Sequence, residues 1–325
     1  MRSASGKAGG ILIGVAAMGL AVAVFLVREM RPKPMASDFP VRPKPTMPVD
    51  PKPADPKPPT PGFATAVLKF GDEGVGPGLF KDARSVAVDG AGNIYVGEYM
   101  QRRVQVFDST GKFVTQWIAG PEMEIRAMAA DRKGNVYIEG SGTIWRFEGS
   151  SGKEMGHIDY PGGSWFNDIA ITADGGIIAS EFATGDNIVR FDSNAKTRLV
   201  IRKAVSTHSE TGEPDVRVAT DGVGNIYALS TFSNAVYKFS TDGKYLTKFG
   251  SQGDQPGQFR AAMDIVVDGQ GRVYVTDIKG IQVFDSEGRY LDKINGGGFG
   301  MVFNDQNELL VAARHQVIKY AIRKP

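Results

Sequence analysis

The chain has 325 residues and no cysteine, which excludes disulfide bonds, thiolate metal sites and cysteine nucleophiles. Its formal net charge is +2, but the first 62 residues hold nine Lys and Arg against four Asp and Glu, so residues 63–325 carry −3. A nucleic-acid-binding domain needs a basic surface, and this balance argues against one in the C-terminal part.

Residues 1–9 form a short polar tail, and residues 10–27 contain no charged residue and no proline. At about 1.5 Å per residue, a helix of this length just crosses the roughly 30 Å hydrocarbon core of a bilayer. We therefore predict a transmembrane anchor at residues 10–27. A cleaved signal peptide is the alternative, although no clear small-residue cleavage site follows the apolar segment.

Basic residues flank the predicted anchor almost equally on both sides. Short tails before a single anchor are usually cytoplasmic, so we expect the rest of the chain on the periplasmic or extracytoplasmic side. Residues 28–62 hold 12 of the 18 prolines, with RPKP and DPKP each present twice. This composition predicts an extended polyproline-II spacer of up to about 100 Å, or alternatively a ligand for a partner's groove.

An internal repeat organises residues 63–325. Residues 69–95 align with residues 248–274 in one register, so that Phe80 falls on Phe259 and Asp89 on Asp268. A pattern of an apolar run, an Asp/Gly turn and a second apolar run occurs six times, beginning at Ser85, Ala127, Asp168, Arg217, Asp264 and Gly300. Alternating apolar runs split by a turn predict β-hairpins.

A third strand ending in an aromatic residue follows each hairpin, and a fourth strand follows the first five. Four antiparallel strands in roughly 40–50 residues are typical of a β-propeller blade. The sixth unit lacks its fourth strand, and residues 64–71 have that character. We therefore predict an all-β, six-bladed propeller in which residues 64–71 pair beside residues 317–320 and close the ring.

The pattern in residues 78–117 and 257–294 resembles the NHL repeat, and the resemblance extends from residue 63 to the C-terminus. Two features depart from it. Ala83 and Ala262 stand near a position where that family usually has proline, and the family's Asp after the second strand is kept only as Asp277. Glu98, Glu181 and Ser230 replace it in other blades. NHL propellers include enzymes, RNA-binding proteins, sensors and scaffolds, so this resemblance implies a fold rather than a function.

Propeller active sites lie at the mouth of the central channel, near the starts of the first strands. Aligning the units puts six residues at one equivalent position on this rim: Arg84, Arg126, Asn167, Val216, Met263 and Phe299. Asn167 and Asp168 resemble the calcium-site strand of the gluconolactonase (SMP-30-like) propellers. That resemblance implies a catalytic site at Asn167, Asp168 and Asp264, and a calcium site completed by Asp215.

Two observations oppose the calcium site. The Glu expected from the first blade is absent, and Arg84, Arg126 and Arg217 would repel a cation. The alternative is that Asp168 and Asp264 pair with these arginines in a structural ring. Zinc bound through histidines, as in the amidating-lyase propellers, is not expected, because His157, His208 and His315 occupy different repeat positions.

Tyr160, Trp165 and Phe166 lie in a turn-rich connection on the same rim as Arg84, Arg126 and Arg217. Aromatic residues with arginine are typical of a binding hot spot, although Trp165 and Phe166 could instead fill a gap between blades. We therefore expect a membrane-tethered, non-catalytic protein-binding module without a cofactor, an accessory or scaffold subunit of a membrane complex. The alternatives are a divalent-cation-dependent hydrolase of the lactonase type and an extracytoplasmic ligand sensor.

Overall fold

The computed structural model describes residues 62–120, 123–161, 165–209 and 212–323. These residues form 24 β-strands, numbered here in chain order. The predicted anchor at residues 10–27 and all but the last residue of the predicted spacer lie outside the described residues. Within the described ranges, no helix is long and apolar enough to cross a membrane.

The strands form six antiparallel sheets of four strands each. The first strands of the sheets are β2 (Ala83–Val88), β6 (Ala127–Ala130), β10 (Phe166–Ile171), β14 (Val216–Thr220), β18 (Asp264–Val267) and β22 (Gly300–Phe303). The second strands are β3 (Ile94–Glu98), β7 (Asn135–Gly140), β11 (Ile177–Glu181), β15 (Ile226–Ser230), β19 (Val273–Asp277) and β23 (Glu308–Ala312).

The third strands are β4 (Arg103–Phe107), β8 (Thr143–Glu148), β12 (Asn187–Phe191), β16 (Ala235–Phe239), β20 (Gly280–Phe284) and β24 (Val317–Ile322). The fourth strands are β5 (Phe113–Ile118), β9 (Glu154–His157), β13 (Thr197–Ile201), β17 (Tyr245–Phe249), β21 (Tyr290–Ile294) and β1 (Ala64–Phe70). Each first strand contacts the first strands of both neighbouring sheets, so the six sheets are the blades of a closed propeller.

The ring closes where β1 pairs antiparallel with β24, from Ala64 opposite Ile322 to Phe70 opposite Val317. The N-terminal strand thus supplies the fourth strand of the last blade. Both the six-bladed fold and this closure confirm the sequence prediction.

The repeated Asp is explained by the turn between the first two strands. In the first blade, one carboxylate oxygen of Asp89 accepts the N–H groups of Ala91 and Asn93, both at 2.9 Å. The other oxygen accepts the side-chain amide of Asn93 and the hydroxyl of Tyr95, both at 2.8 Å. Gly92 occupies the left-handed position of the turn, with φ of 84°. The motif therefore fixes the hairpin locally in the four blades that keep this residue, as Asp89, Asp131, Asp221 and Asp268.

The aromatic residue near the end of each third strand is buried in the hydrophobic core. Phe107 lies 4.7 Å from Phe70, 5.7 Å from Phe80 and 5.9 Å from Phe113, between ring centroids. The equivalent cluster in the fifth blade surrounds Phe284 and consists of Phe249, Phe259 and Tyr290. The self-alignment of the sequence is therefore repeated in three dimensions.

The two alanines at the usual proline position both donate their backbone N–H. The N–H of Ala83 bonds to the carbonyl of Arg314 at 2.8 Å, and the N–H of Arg314 returns a bond to Ala83 at 3.1 Å. The N–H of Ala262 bonds to Oδ1 of Asn234 at 3.1 Å. Proline has no N–H, so it could form neither inter-blade bond.

Candidate functional site at the channel mouth

A cavity of about 900 Å³ opens at one end of the central channel. Five of the six residues predicted at the rim position line it: Arg84, Arg126, Asn167, Met263 and Phe299. The sixth, Val216, is buried and does not line it. The repeat alignment therefore located the rim of the channel. A cavity of this size, with polar groups converging on it, is of the kind that holds a small molecule.

In three of the first strands, the side chain of the next residue bonds to the backbone of the neighbouring blade. The carboxylate of Asp168 accepts the N–H of Val218 at 2.7 Å, which joins the third blade to the fourth. The carboxylate of Asp264 accepts the N–H of Met301 at 2.6 Å, which joins the fifth blade to the sixth. Ser85, at the equivalent position, donates to the carbonyl of Arg126 at 3.4 Å. Asp168 and Asp264 thus connect first strands to one another.

Arg217 occupies the same row in the fourth blade and faces these carboxylates. Its Nη2 lies 3.3 Å from both oxygens of Asp215, and its Nη1 donates to the carbonyl of Asn167 at 3.4 Å. Burial opposes its charge, but the negative charges of Asp215, Asp168 and Asp264 outweigh this and raise the pKa of Arg217. A fixed cation therefore lies among the acids of the channel mouth.

Burial raises the pKa values of Asp168 and Asp264, and the positive charge of Arg217 opposes this increase in both. Burial raises the pKa of Asp168 to about 6, against the opposing charge of Arg217. Burial and then the charge of Asp168 raise the pKa of Asp264 to about 8. Titratable groups shifted in this way, beside a cavity, are typical of functional sites.

Asp215 is the one of these three acids that lines the cavity. The hydroxyl of Thr231 lies 3.2 Å from its Oδ2, and Nη2 of Arg217 lies 3.3 Å from the same oxygen. The side-chain amide of Asn167 donates to the carbonyl of Pro214 at 2.8 Å, immediately before Asp215 in the chain. The carboxylate of Asp215 is therefore oriented at the cavity wall by two neighbouring side chains.

Glu139 also belongs to this cluster, although no sequence motif predicts it. It is 0% exposed, and burial raises its pKa to about 8 despite the nearby Arg126 and Arg217. Its Oε1 accepts the N–H of Gly142 at 3.0 Å, whereas its Oε2 is buried with no hydrogen-bond partner. The available signal was its position: an acid within a second strand, where the first blade has Gly97 and the fifth has Thr276.

The aromatic residues predicted for a partner surface divide between core and surface. Phe166 is 1% exposed, so it packs within the blade and cannot contact a partner. Tyr160 is half-buried against it, with ring centroids 5.7 Å apart. Trp165 is 53% exposed and lies 6.1 Å from Phe182, which lines the cavity. Of the three, Trp165 offers surface at the rim.

No protein-family model matches the chain, and no curated protein matches it. Solved structures do. A gluconolactonase from Xanthomonas campestris is 16% identical with a TM-score of 0.58, over 80% of this chain and 99% of that one. A putative gluconolactonase is 13% identical with a TM-score of 0.61, over 81% and 93%. Virginiamycin B lyase from Staphylococcus aureus is 13% identical with a TM-score of 0.56, over 79% and 99%.

The chain has the fold of these six-bladed propellers. At these identities the likeness shows the fold alone. The similarity to gluconolactonase-type propellers expected from the sequence is thereby confirmed for the architecture.

The residues present do not fit the calcium site that the resemblance implied. The carboxylates of Asp168 and Asp264 are held by backbone N–H groups of the next blade, and Asp215 is paired with Arg217. Calcium requires six or more oxygen ligands, and here a guanidinium approaches the acids that would supply them. In the described ranges, no group of three or more His, Cys, Asp or Glu side chains is arranged to hold a metal ion.

Proposed function

We propose that this propeller is a hydrolase that opens lactone-type cyclic esters at the mouth of its central channel. The observation that carries the proposal is the oriented carboxylate of Asp215 in a cavity walled by arginines. The similar fold of a gluconolactonase and of virginiamycin B lyase favours a catalytic role over the non-catalytic scaffold role that the sequence first favoured.

Lactone hydrolysis needs a base for the attacking water and positive groups for the oxyanion. Asp215 takes a proton from water while the water oxygen bonds to the carbonyl carbon. Arg84 and Arg126 stabilise the negative charge that develops on the carbonyl oxygen. The ring C–O bond then breaks, and the departing oxygen receives the proton held by Asp215. The product is a hydroxy acid, and no step requires a group that the chain does not supply.

The test is a pH-stat assay of the full-length protein with D-glucono-δ-lactone and with γ-butyrolactone, corrected for spontaneous hydrolysis. Asp215→Asn removes the base with little change in shape, so kcat should fall by about 10²–10⁴-fold. Asp242→Asn removes an exposed carboxylate from an outer turn of the same blade and should leave kcat unchanged. A wild-type rate no higher than the uncatalysed one would refute the proposal.

Chelation separates this proposal from the cation-dependent alternative. Because the donor set does not fit a divalent cation, we expect the rate to be the same with EDTA and with added calcium. A rate that disappears with EDTA and returns with calcium would support the cation-dependent hydrolase.

Protein binding is the second candidate, and exposed aromatic side chains at the rim favour it. Trp165 is 53% exposed and packs against Phe182, which lines the cavity. Phe232 is 66% exposed and lines the cavity directly. Cross-linking of intact membranes, with wild type and Trp165→Ala compared, tests this reading. A membrane protein captured by the wild type and lost in the variant would support it, and equal capture by both would contradict it.

The location of the propeller remains a proposal from the sequence. Residues 10–27 would anchor the chain, residues 28–62 would act as the spacer, and the propeller would lie outside the cytoplasm. Protease added to intact cells and to cells with a permeabilised outer layer tests this. Cleavage within residues 28–62 without lysis of the inner membrane would support the orientation, and protection until lysis would reverse it.

A further inference from the structure

Four side chains form a continuous stack of guanidinium groups and aromatic rings: Arg84, Tyr99 and Phe299 line the cavity at the channel mouth, and Arg314 is exposed beside them. The guanidinium carbon of Arg84 lies 4.4 Å from the ring centroid of Tyr99 and 5.2 Å from that of Phe299. The guanidinium carbon of Arg314 also lies 5.2 Å from the Phe299 ring. We call Arg314, Phe299, Arg84 and Tyr99 the arginine–aromatic stack. It joins the last blade to the first.

The stack continues into the second blade through a hydrogen bond and an ion pair. The hydroxyl of Tyr99 donates to Oε2 of Glu124 at 3.0 Å, and the same oxygen lies 3.7 Å from Nη2 of Arg126. Arg84, Tyr99, Phe299 and Arg126 all line the 900 Å³ cavity. The first and second blades therefore each present an arginine to the cavity, and Arg314 of the last blade stacks on the ring of Phe299 beside them.

Several donors of the arginines at the channel mouth have no acceptor in the part of the chain that the structure describes. Nη2 of Arg84 pairs with Asp82 at 2.8 Å, but its Nε is buried with no hydrogen-bond partner, and so is Nε of Arg217. Among the described residues, no carboxylate lies within ion-pair distance of Arg314. Stacking uses the face of a guanidinium and leaves its in-plane N–H groups available.

The net charge around Arg84, Arg126 and Arg314 indicates the charge of the anion that these residues would bind. Arg84, Arg126 and Arg314 carry three positive charges, and Asp82 and Glu124 beside them carry two negative charges. A net charge of about +1 complements a monoanion better than a dianion. Guanidinium groups bind a carboxylate through two parallel N–H···O bonds, which fixes its orientation as well as its position.

We propose that the arginine–aromatic stack and Arg126 form a subsite for the carboxylate of a small hydroxy acid. The assignment deepens the proposed function and rests on it for the substrate class, since hydrolysis of a lactone generates such a carboxylate. The rings of Tyr99 and Phe299 hold the guanidinium groups of Arg84 and Arg314 in place, and the N–H groups of these guanidinium groups bind the carboxylate. The same wall retains the hydroxy acid formed in the cavity.

The experiment is isothermal titration calorimetry of the full-length protein with sodium D-gluconate, with neutral D-glucose and inorganic phosphate titrated separately. Saturable binding of gluconate is expected, with no binding of glucose and weaker binding of phosphate. Arg84→Gln and Arg314→Gln should each raise the Kd for gluconate at least tenfold. Arg132→Gln is the matched control, because Arg132 is 78% exposed in a turn at the opposite end of its strands and should leave Kd unchanged.

Two further comparisons separate this subsite from the hydrolase proposal. Asp215→Asn should bind gluconate as tightly as the wild type or more tightly, because a negative charge has left the cavity. If no lactone is hydrolysed but gluconate binding depends on Arg84 and Arg314, the hydrolase proposal fails and the subsite stands. If lactones are hydrolysed but gluconate binds equally to every variant, the subsite is refuted and the hydrolase proposal stands.

The remaining outcomes also decide the question. Equal binding of glucose and gluconate would refute recognition of a carboxylate. Tighter binding of phosphate than of gluconate would refute the monoanion assignment. Arg314 is exposed, so Arg314→Gln is expected to fold even if Arg84→Gln does not, and thermal unfolding of each variant checks this.

Discussion

Replacing Glu139 by Gln should remove a specific pH dependence of folding stability. Glu139 is fully buried, and its pKa is raised from 4.5 to about 8, first by burial. Gln keeps the acceptor for the N–H of Gly142 and puts an NH₂ group where Oε2 has no partner. The variant therefore imitates the protonated form of Glu139 at every pH.

The magnitude follows from proton linkage. Because the folded-state pKa is the higher one, Glu139 stabilises the fold fully below about pH 4.5, and this contribution is lost as the pH rises through about 8. Between these values the folded chain holds one proton more than the unfolded chain, so its free energy of unfolding falls by about 1.4 kcal/mol per pH unit. Over the whole window the loss is about 5 kcal/mol.

Equilibrium urea unfolding at pH 5, 6, 7 and 8, followed by tryptophan fluorescence, measures this slope. Glu139→Gln should reduce the fall in unfolding free energy by about 1.4 kcal/mol per pH unit relative to wild type, and it should be the more stable protein at pH 8. Glu154→Gln, which removes an exposed carboxylate from the same blade, should keep the wild-type slope. Parallel curves for wild type and Glu139→Gln would refute the reasoning.

Three other changes test the fold and the rim. Asp89→Ala removes four hydrogen bonds of a buried carboxylate and should lower the urea-derived free energy of unfolding by about 3 kcal/mol, whereas Asp108→Ala in an exposed turn should lower it less. Ala83→Pro introduces the residue that NHL repeats usually have near this position. It should nevertheless lower the free energy of unfolding by about 1–3 kcal/mol, because the carbonyl of Arg314 loses its N–H donor, and unchanged stability would contradict this. Trp165→Ala should change stability by less than about 0.5 kcal/mol, since this ring is mostly exposed, and a larger loss would show that it packs the rim.

The fold could be predicted because its determinants are local and repeated. The Asp89 turn is completed within seven residues, from Asp89 to Tyr95, and the same internal spacing of Asp and Tyr recurs at Asp131, Asp221 and Asp268. The closure could be predicted as well, because five fourth strands for six hairpins left one strand to be supplied by residues 64–71. Counting was sufficient for this, since a propeller blade is complete only with all four strands.

Two adjacent residues at the start of β10, Trp165 just before the strand and Phe166 as its first residue, could not be distinguished from the sequence. Both are large aromatic residues, so their type alone does not say which one is buried. Because successive side chains along an extended segment point in opposite directions, Phe166 packs in the core and Trp165 is exposed. Asp168 and Asp264 carry the right atoms for a calcium ligand. The N–H groups that take up their oxygens, those of Val218 and Met301, come from the neighbouring blades.

By itself, the sequence determined the blade, the number of blades and the residues at the rim, because these follow from patterns repeated within each unit. The tertiary structure alone decided which rim residues meet. Arg84 stacks on the ring of Phe299, and the charge of Arg217 lowers the pKa of Glu139. Both pairs are too far apart in sequence for a local pattern to predict. The tertiary structure also decided that Arg217 faces the acids of the channel mouth, because the positions of charges around a closed ring depend on all six blades at once.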